Sequence, residues 1–87
     1  MRSIKLPSGK KKFKITLTEG YVLFFRWSPV GACYNVDIEG IVTNKSLFLG
    51  SDLLNESFEP FTITLVGDQE PTLENLSDLS LVIDERV

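Results

Sequence analysis

The sequence predicts an all-β fold: one small antiparallel β-barrel or sandwich of about six to seven short strands, with a single short helical turn near residues 71–76. Three observations lead there. Apolar and polar residues alternate along most of the chain, the period at which the side chains of a strand change face. Gly and Pro interrupt that alternation at short intervals. No stretch of ten residues or more sustains the 3.6-residue period of an amphipathic helix. The 87 residues read as one domain, 1–87. A chain of this length buries only about 60–65 % of its unfolded surface, so every apolar face has to be used.

Residues 1–9, "MRSIKLPSG", read as an extended N-terminal arm. Alternation begins in "KFKITLT", where Phe13, Ile15 and Leu17 share one face and Lys12, Lys14, Thr16 and Thr18 the other. Glu19 and Gly20 then form a tight turn, since Gly20 accepts a positive φ, and "YVLFFRW" pairs antiparallel with the first strand. Tyr21, Leu23, Phe25 and Trp27 fall on one face and Val22, Phe24 and Arg26 on the other. Apolar bulk on both sides makes this strand central, or gives one face a partner. Pro29 and Gly31 turn the chain into "CYNVDIEG", with Tyr34, Val36 and Ile38 inward and Asn35, Asp37 and Glu39 outward, a second hairpin. Gly40 ends it, and "IVTNKS" offers a short fourth strand.

"LFLGSDLL" carries Leu47, Leu49, Leu53 and Leu54 around a Gly50–Asp52 turn, a tight corner that returns to the core. In "PFTITLVG" Phe61, Ile63 and Leu65 oppose Thr62, Thr64 and Val66 until Gly67 and Asp68 stop the strand. Pro71 suits the first position of a helical turn in "PTLEN", where the Thr72 hydroxyl can accept a backbone N–H two or three residues on. Leu73 and Leu76 then plug the end of the core. "LSLVIDE" is the last strand, Leu79, Leu81 and Ile83 alternating with Ser80, Val82 and Asp84.

With 43 % hydrophobic and 24 % charged residues, the composition is that of a globular protein, which excludes the disordered and fibrous classes. "MRSIKLPSGKKKFK" breaks up its apolar residues with Lys, Pro and Gly, unlike a secretory signal, and the apolar run "YVLFF" is far too short to cross a bilayer. No membrane anchor is expected. Cys33 is the single cysteine and there is no histidine, so an intramolecular disulfide and a Cys/His zinc site are excluded and stability must come from packing. The formal charge of −3 is uneven: residues 1–26 hold seven Lys/Arg and one Glu, net +6, and residues 27–87 hold two Lys/Arg and eleven Asp/Glu, net −9.

Catalysis finds little support. Acid–base chemistry near neutral pH most often uses histidine, and a carboxylate pair needs a cleft that a small β-domain rarely has room for. Cys33 lacks an activating histidine and reads as a structural or merely exposed thiol. Asp68, Glu70, Glu74 and Asp78 lack the alternating spacing and the glycine of a calcium loop, so they read as a solvated loop. No enzyme activity, cofactor or metal is expected. Tyr21, Trp27 and Tyr34 fit cross-strand packing better than a carbohydrate or peptide groove. The candidate partner-binding residues are Lys10, Lys11, Lys12 and Lys14 around Phe13, suited to a solvated strand edge or to the acidic surface of a protein partner. Nucleic acid is the less favoured partner because the pI is about 4.8.

Four motifs in order, "YVLFFRW", "YNVDIEG", "LFLGSDLL" and "EPTLENLSDLSLVID", resemble the small phage baseplate plug family, first recognised in contractile-tailed cyanophages and common in tailed phages and prophages. The resemblance spans roughly residues 13–84 and rests on Trp27, Tyr34 with Asp37, Gly40, Gly50 with Asp52, Leu53 and Leu54, and Pro71 and Thr72 with Asn75 and Leu76. It implies a non-catalytic virion structural protein, assembled in the bacterial host cytoplasm, that helps close the central hub or tail tube of the baseplate. The implied partners are tail hub, spike or baseplate proteins, and a homo-oligomer stays open. The alternative from another class is a small single-stranded nucleic-acid-binding β-barrel, with the basic strand and Phe13, Tyr21 and Trp27 as its contact surface.

Overall fold

The computed structural model describes residues 1–86. It is all-β, with seven strands in two antiparallel sheets and one 3₁₀ turn. The strands are β1 (Arg2–Lys5), β2 (Lys12–Thr16), β3 (Val22–Ser28), β4 (Cys33–Ile38), β5 (Val42–Ser46), β6 (Phe61–Val66) and β7 (Ser80–Glu85). One sheet has the order β2-β3-β4-β5 and the other β1-β7-β6. Their inner faces pack together, and among the described residues no ladder joins the two sheets into a closed barrel.

Alternation fixes which side of each strand is inside. Leu23, Phe25, Tyr34, Val36, Ile38, Ile63, Leu65, Leu81 and Ile83 are all buried, and their sequence neighbours on the same strands are more exposed. β3 lies inside its sheet, as its apolar bulk on both faces requires. The β2–β3 turn closes with Leu17 N–H donating to the Tyr21 carbonyl at 2.8 Å and Gly20 at φ +102°, where a side chain would be strained. Phe13 stacks on Phe25 at 4.5 Å between ring centroids, and its other neighbour Tyr34 meets it edge-on at 5.9 Å.

Residues 1–9, expected as an extended arm, are part of the fold. Residues 2–5 form β1, paired antiparallel to β7 from Arg2↔Ile83 to Lys5↔Ser80, and Leu6 is buried. The apolar Ile4 and Leu6 hold the segment against the core. The helical turn also differs from expectation, forming at Leu76–Asp78 instead of residues 71–76. Thr72 and Asn75 hold each other in a non-helical turn first. Asn75 N–H donates to Thr72 Oγ1 at 3.2 Å, Thr72 N–H donates to Asn75 Oδ1 at 2.7 Å, and Asn75 Nδ2 donates to the Glu70 carbonyl. Asn and Thr compete with helix formation in this way. Leu76 is buried and Leu73 packs at the core margin, so the predicted plug is present.

Candidate partner-binding face

Three of the seven cations of the basic segment meet on the outer face of the four-stranded sheet. Lys12 and Lys14 stand exposed on β2, directly across from Arg26 and Phe24 of β3. Phe24, 38 % exposed, is the large apolar side chain beside them, opposite Lys14. Arg26 is partly neutralised: its Nη2 donates to Asn44 Oδ1 at 2.7 Å and lies 3.3 Å from Asp37 Oδ2. Asp37 Oδ1 also accepts the Asn44 N–H at 2.6 Å, holding Asn44 at φ +57° where β5 shifts register against β4. Asn tolerates that left-handed backbone better than most residues. Among the described residues, the two lysines thus remain the unpaired cations of the face.

Lys10 and Lys11 precede β2 and serve the fold through their backbones. The Lys10 carbonyl accepts the Tyr34 hydroxyl at 2.7 Å, and the Lys11 carbonyl accepts the Trp27 N–H at 2.7 Å. Burial, and secondarily the charge of Glu74, raises the Tyr34 phenol above its ordinary value. The four lysines therefore split into two pairs, of which Lys12 and Lys14 share the sheet face.

The aromatic set assigned to the nucleic-acid alternative is corrected. Tyr21 is buried, meets Phe61 edge-on at 6.0 Å and donates its hydroxyl to Glu59 Oε1 at 2.9 Å. Phe13 faces inward, and Trp27 packs edge-on against Tyr34 at 5.1 Å. Neither Phe13 nor Tyr21 offers a ring face to a base, and alternation accounts for it: the odd-numbered residues of β2 and β3 face the core. Phe24, the aromatic on the basic face, was read only as part of a second apolar surface.

The motif residues are nodes of the fold and do not converge on one site. Trp27 and Tyr34 pack on each other, Asp37 holds the β5 bulge, and Gly40 at φ +79° turns β4 into β5. Gly50 donates to the Leu65 carbonyl, Leu53 and Leu54 are fully buried, and Pro71 is buried ahead of the Thr72–Asn75 turn and Leu76. Asp52 is the densest node: Oδ1 accepts the N–H groups of Leu54 and Ile63 at 2.9 Å each, and Oδ2 accepts Arg86 Nη2 at 2.9 Å. Arg86 also donates to the Leu54, Phe61 and Glu59 carbonyls. The sequence reading missed Arg86, since nothing in a terminal "DERV" marks an arginine that folds back on a corner 34 residues away.

In the acidic stretch, Glu70 Oε1 accepts the Leu49 N–H at 2.9 Å, tying that loop to the corner, and Asp68, Glu74 and Asp78 are exposed. Cys33 is a free, half-buried thiol. No helix among the described residues is long and apolar enough to cross a membrane. No protein-family model matches the chain, and no curated protein matches it at a significant level.

Proposed function

We propose that this chain is a structural protein of a bacteriophage or prophage tail baseplate, closing the central hub or tail tube through protein–protein contacts. The observation that carries the proposal is the order of the four motifs, together with the use each finds as a packing or turn node of a small rigid domain. A wedge held in an assembly needs a defined shape and a docking face. The exposed Lys12 and Lys14, beside Phe24, supply a face suited to an acidic neighbour. The domain is displaced or rearranged when the tail contracts, and no catalytic step is assigned to it.

The test is co-purification of the tagged chain from cells expressing the neighbouring tail genes. Recovery of a hub or spike protein, lost when Lys10, Lys11, Lys12 and Lys14 are all changed to Glu, is the expected result. Unchanged incorporation of that variant at moderate salt removes the electrostatic part. Failure to recover any tail protein overturns the proposal.

The clustering of Lys12, Lys14 and Arg26 around Phe24 also favours a second reading, binding of single-stranded nucleic acid. A salt-sensitive shift with single-stranded oligonucleotides, and no tail partner, selects it.

A further inference from the structure

The hydrogen-bonding phase of β2 decides which of its backbone groups are used. Leu17 N–H bonds the Tyr21 carbonyl and Trp27 N–H bonds the Lys11 carbonyl, so in this antiparallel ladder the odd-numbered residues of β2 bond to β3. The N–H and C=O groups of Lys12, Lys14 and Thr16 point the other way, off the sheet. Among the described residues they have no hydrogen-bond partner.

The other edges differ. On β6 four outward groups are occupied: Ile63 N–H by Asp52, the Ile63 carbonyl by Leu53, the Leu65 carbonyl by Gly50 and the Phe61 carbonyl by Arg86. β5 is bent by its bulge, with Asn44 N–H taken by Asp37. β1 is only four residues long, and Arg2 at its start is held by Glu19. β2 is a regular five-residue edge left bare.

Burial along β2 points the same way. Phe25 and Leu23 on β3 are 1 % and 0 % exposed, whereas Phe13 and Ile15, directly across from them, are only half-buried. The difference across each pair reflects the lack of a strand beyond β2. An added strand would bring apolar side chains over Phe13 and Ile15 and, on the opposite face, side chains beside Lys12 and Lys14.

We infer that β2 is a strand-addition edge for a partner segment that alternates acidic and apolar residues, the acids pairing with Lys12 and Lys14 and the apolar residues completing the layer at Phe13 and Ile15. This deepens the docking reading above and rests on it only for the existence of a protein partner. Charge complementarity selects the occupant. Two copies pairing β2 to β2 antiparallel would set lysines against lysines, which destabilises directly opposed strands. Lysine on an edge guards against self-association, and here it leaves the backbone available to a strand of opposite sign.

The probe is a capped peptide of about six residues alternating Glu and Val, titrated into the isotopically labelled full chain while amide exchange is followed by NMR. Slowing of exchange by about tenfold at Lys12, Lys14 and Thr16 is expected, with affinity lost about tenfold for the Lys/Val counterpart. Lys14→Pro removes one outward N–H without touching the β2–β3 ladder, a site where an edge strand tolerates proline, and abolishes protection. The same peptide N-methylated on its β2-facing side must also fail, a control that leaves the protein unaltered.

Unprotected edge amides at saturation, equal binding of the Lys/Val peptide, or equal binding of the N-methylated peptide overturns strand addition. So does an oligonucleotide that shifts the Phe24 and Arg26 side chains and outcompetes the peptide without protecting the edge. Protection of the edge without recovery of a tail protein upholds strand addition and overturns the baseplate assignment. Recovery of a tail protein by the Lys14→Pro chain at wild-type yield does the reverse.

Discussion

The outer edges of β6 and β2 present the same kinds of backbone group and treat them in opposite ways. At β6 the corner at residues 49–54 lies alongside the strand through the Leu49↔Leu65 and Asp52↔Thr64 bridges, and Arg86 adds a side-chain donor from the far end of the chain. At β2 no segment among the described residues hydrogen-bonds the outward groups, and lysines occupy the exposed positions. Closing an edge from within takes a segment that can both turn and bury apolar side chains, which "LGSDLL" does with Gly50 at φ +77°, the Asp52 carboxylate and the buried pair Leu53 and Leu54. Where no such segment is available, charge keeps the edge from pairing with copies of itself. The closed edge belongs to the stability of the domain, and the open one is the edge proposed above for strand addition.

The largest test of this contrast is Leu54→Ala, which removes a fully buried side chain of the corner and is expected to cost about 2–5 kcal/mol in chemical denaturation. Asp52→Ala comes next, at about 2–3 kcal/mol, because the N–H groups of Leu54 and Ile63 and the Arg86 guanidinium lose a charged acceptor. Asp52→Asn should recover part of that loss through its amide oxygen. A near-neutral Asp52→Ala would mean that leucine packing alone closes the β6 edge.

Alkaline titration reaches the segment that leads into β6. Tyr21 is pushed up to about 12, chiefly by burial and then by its hydrogen bond to Glu59. Because the folded value lies above the ordinary one, this contribution to stability is complete below about pH 10 and declines as pH rises through about 12. Thermal melts across that window should fall more steeply for the wild type than for Tyr21→Phe, with phenolate absorbance reporting the titration.

The open edge should respond weakly. Lys12 faces Arg26 directly, so Lys12→Glu replaces a like-charge pair with an opposite one and raises stability by about 0.2–1 kcal/mol, while weakening any acidic partner. A stability loss in this variant would show that Lys12 is part of the fold. Smallest is the acid response of Glu19, held below its usual value first by the hydrogen bond from Arg2. A lowered carboxylate stabilises above its unfolded pKa and loses that contribution as pH falls through the folded one. Arg2→Ala should therefore flatten the stability profile only at the acid end, below about pH 4.5.

Most of the fold was legible because the strand period is two. Tyr34, Val36 and Ile38 could be assigned inward, Phe24 and Arg26 placed on the face opposite Leu23 and Phe25, and the hairpin at Gly20 located, from local pattern alone. Thr72 was legible as an acceptor, but the placement of the 3₁₀ turn was not, because the Asn75 side-chain oxygen accepts the Thr72 N–H and holds the preceding residues out of a helix. The candidate partner-binding face was half legible. Composition marked four lysines, while the register against β3 gave Lys12 and Lys14 the face and turned Lys10 and Lys11 to backbone work.

By itself the sequence determined an all-β domain, which residues share a face on most of its strands and the surplus of positive charge in its first third, because alternation and charge are properties of neighbours along the chain. Only the tertiary structure decided that residues 2–5 complete the β1-β7-β6 sheet, that Asp52 and Arg86 meet, and that the β6 edge is closed while the β2 edge stays open. Those outcomes depend on hydrogen bonds between residues far apart in the chain, and a local pattern carries no record of which distant segment will occupy a strand's free side.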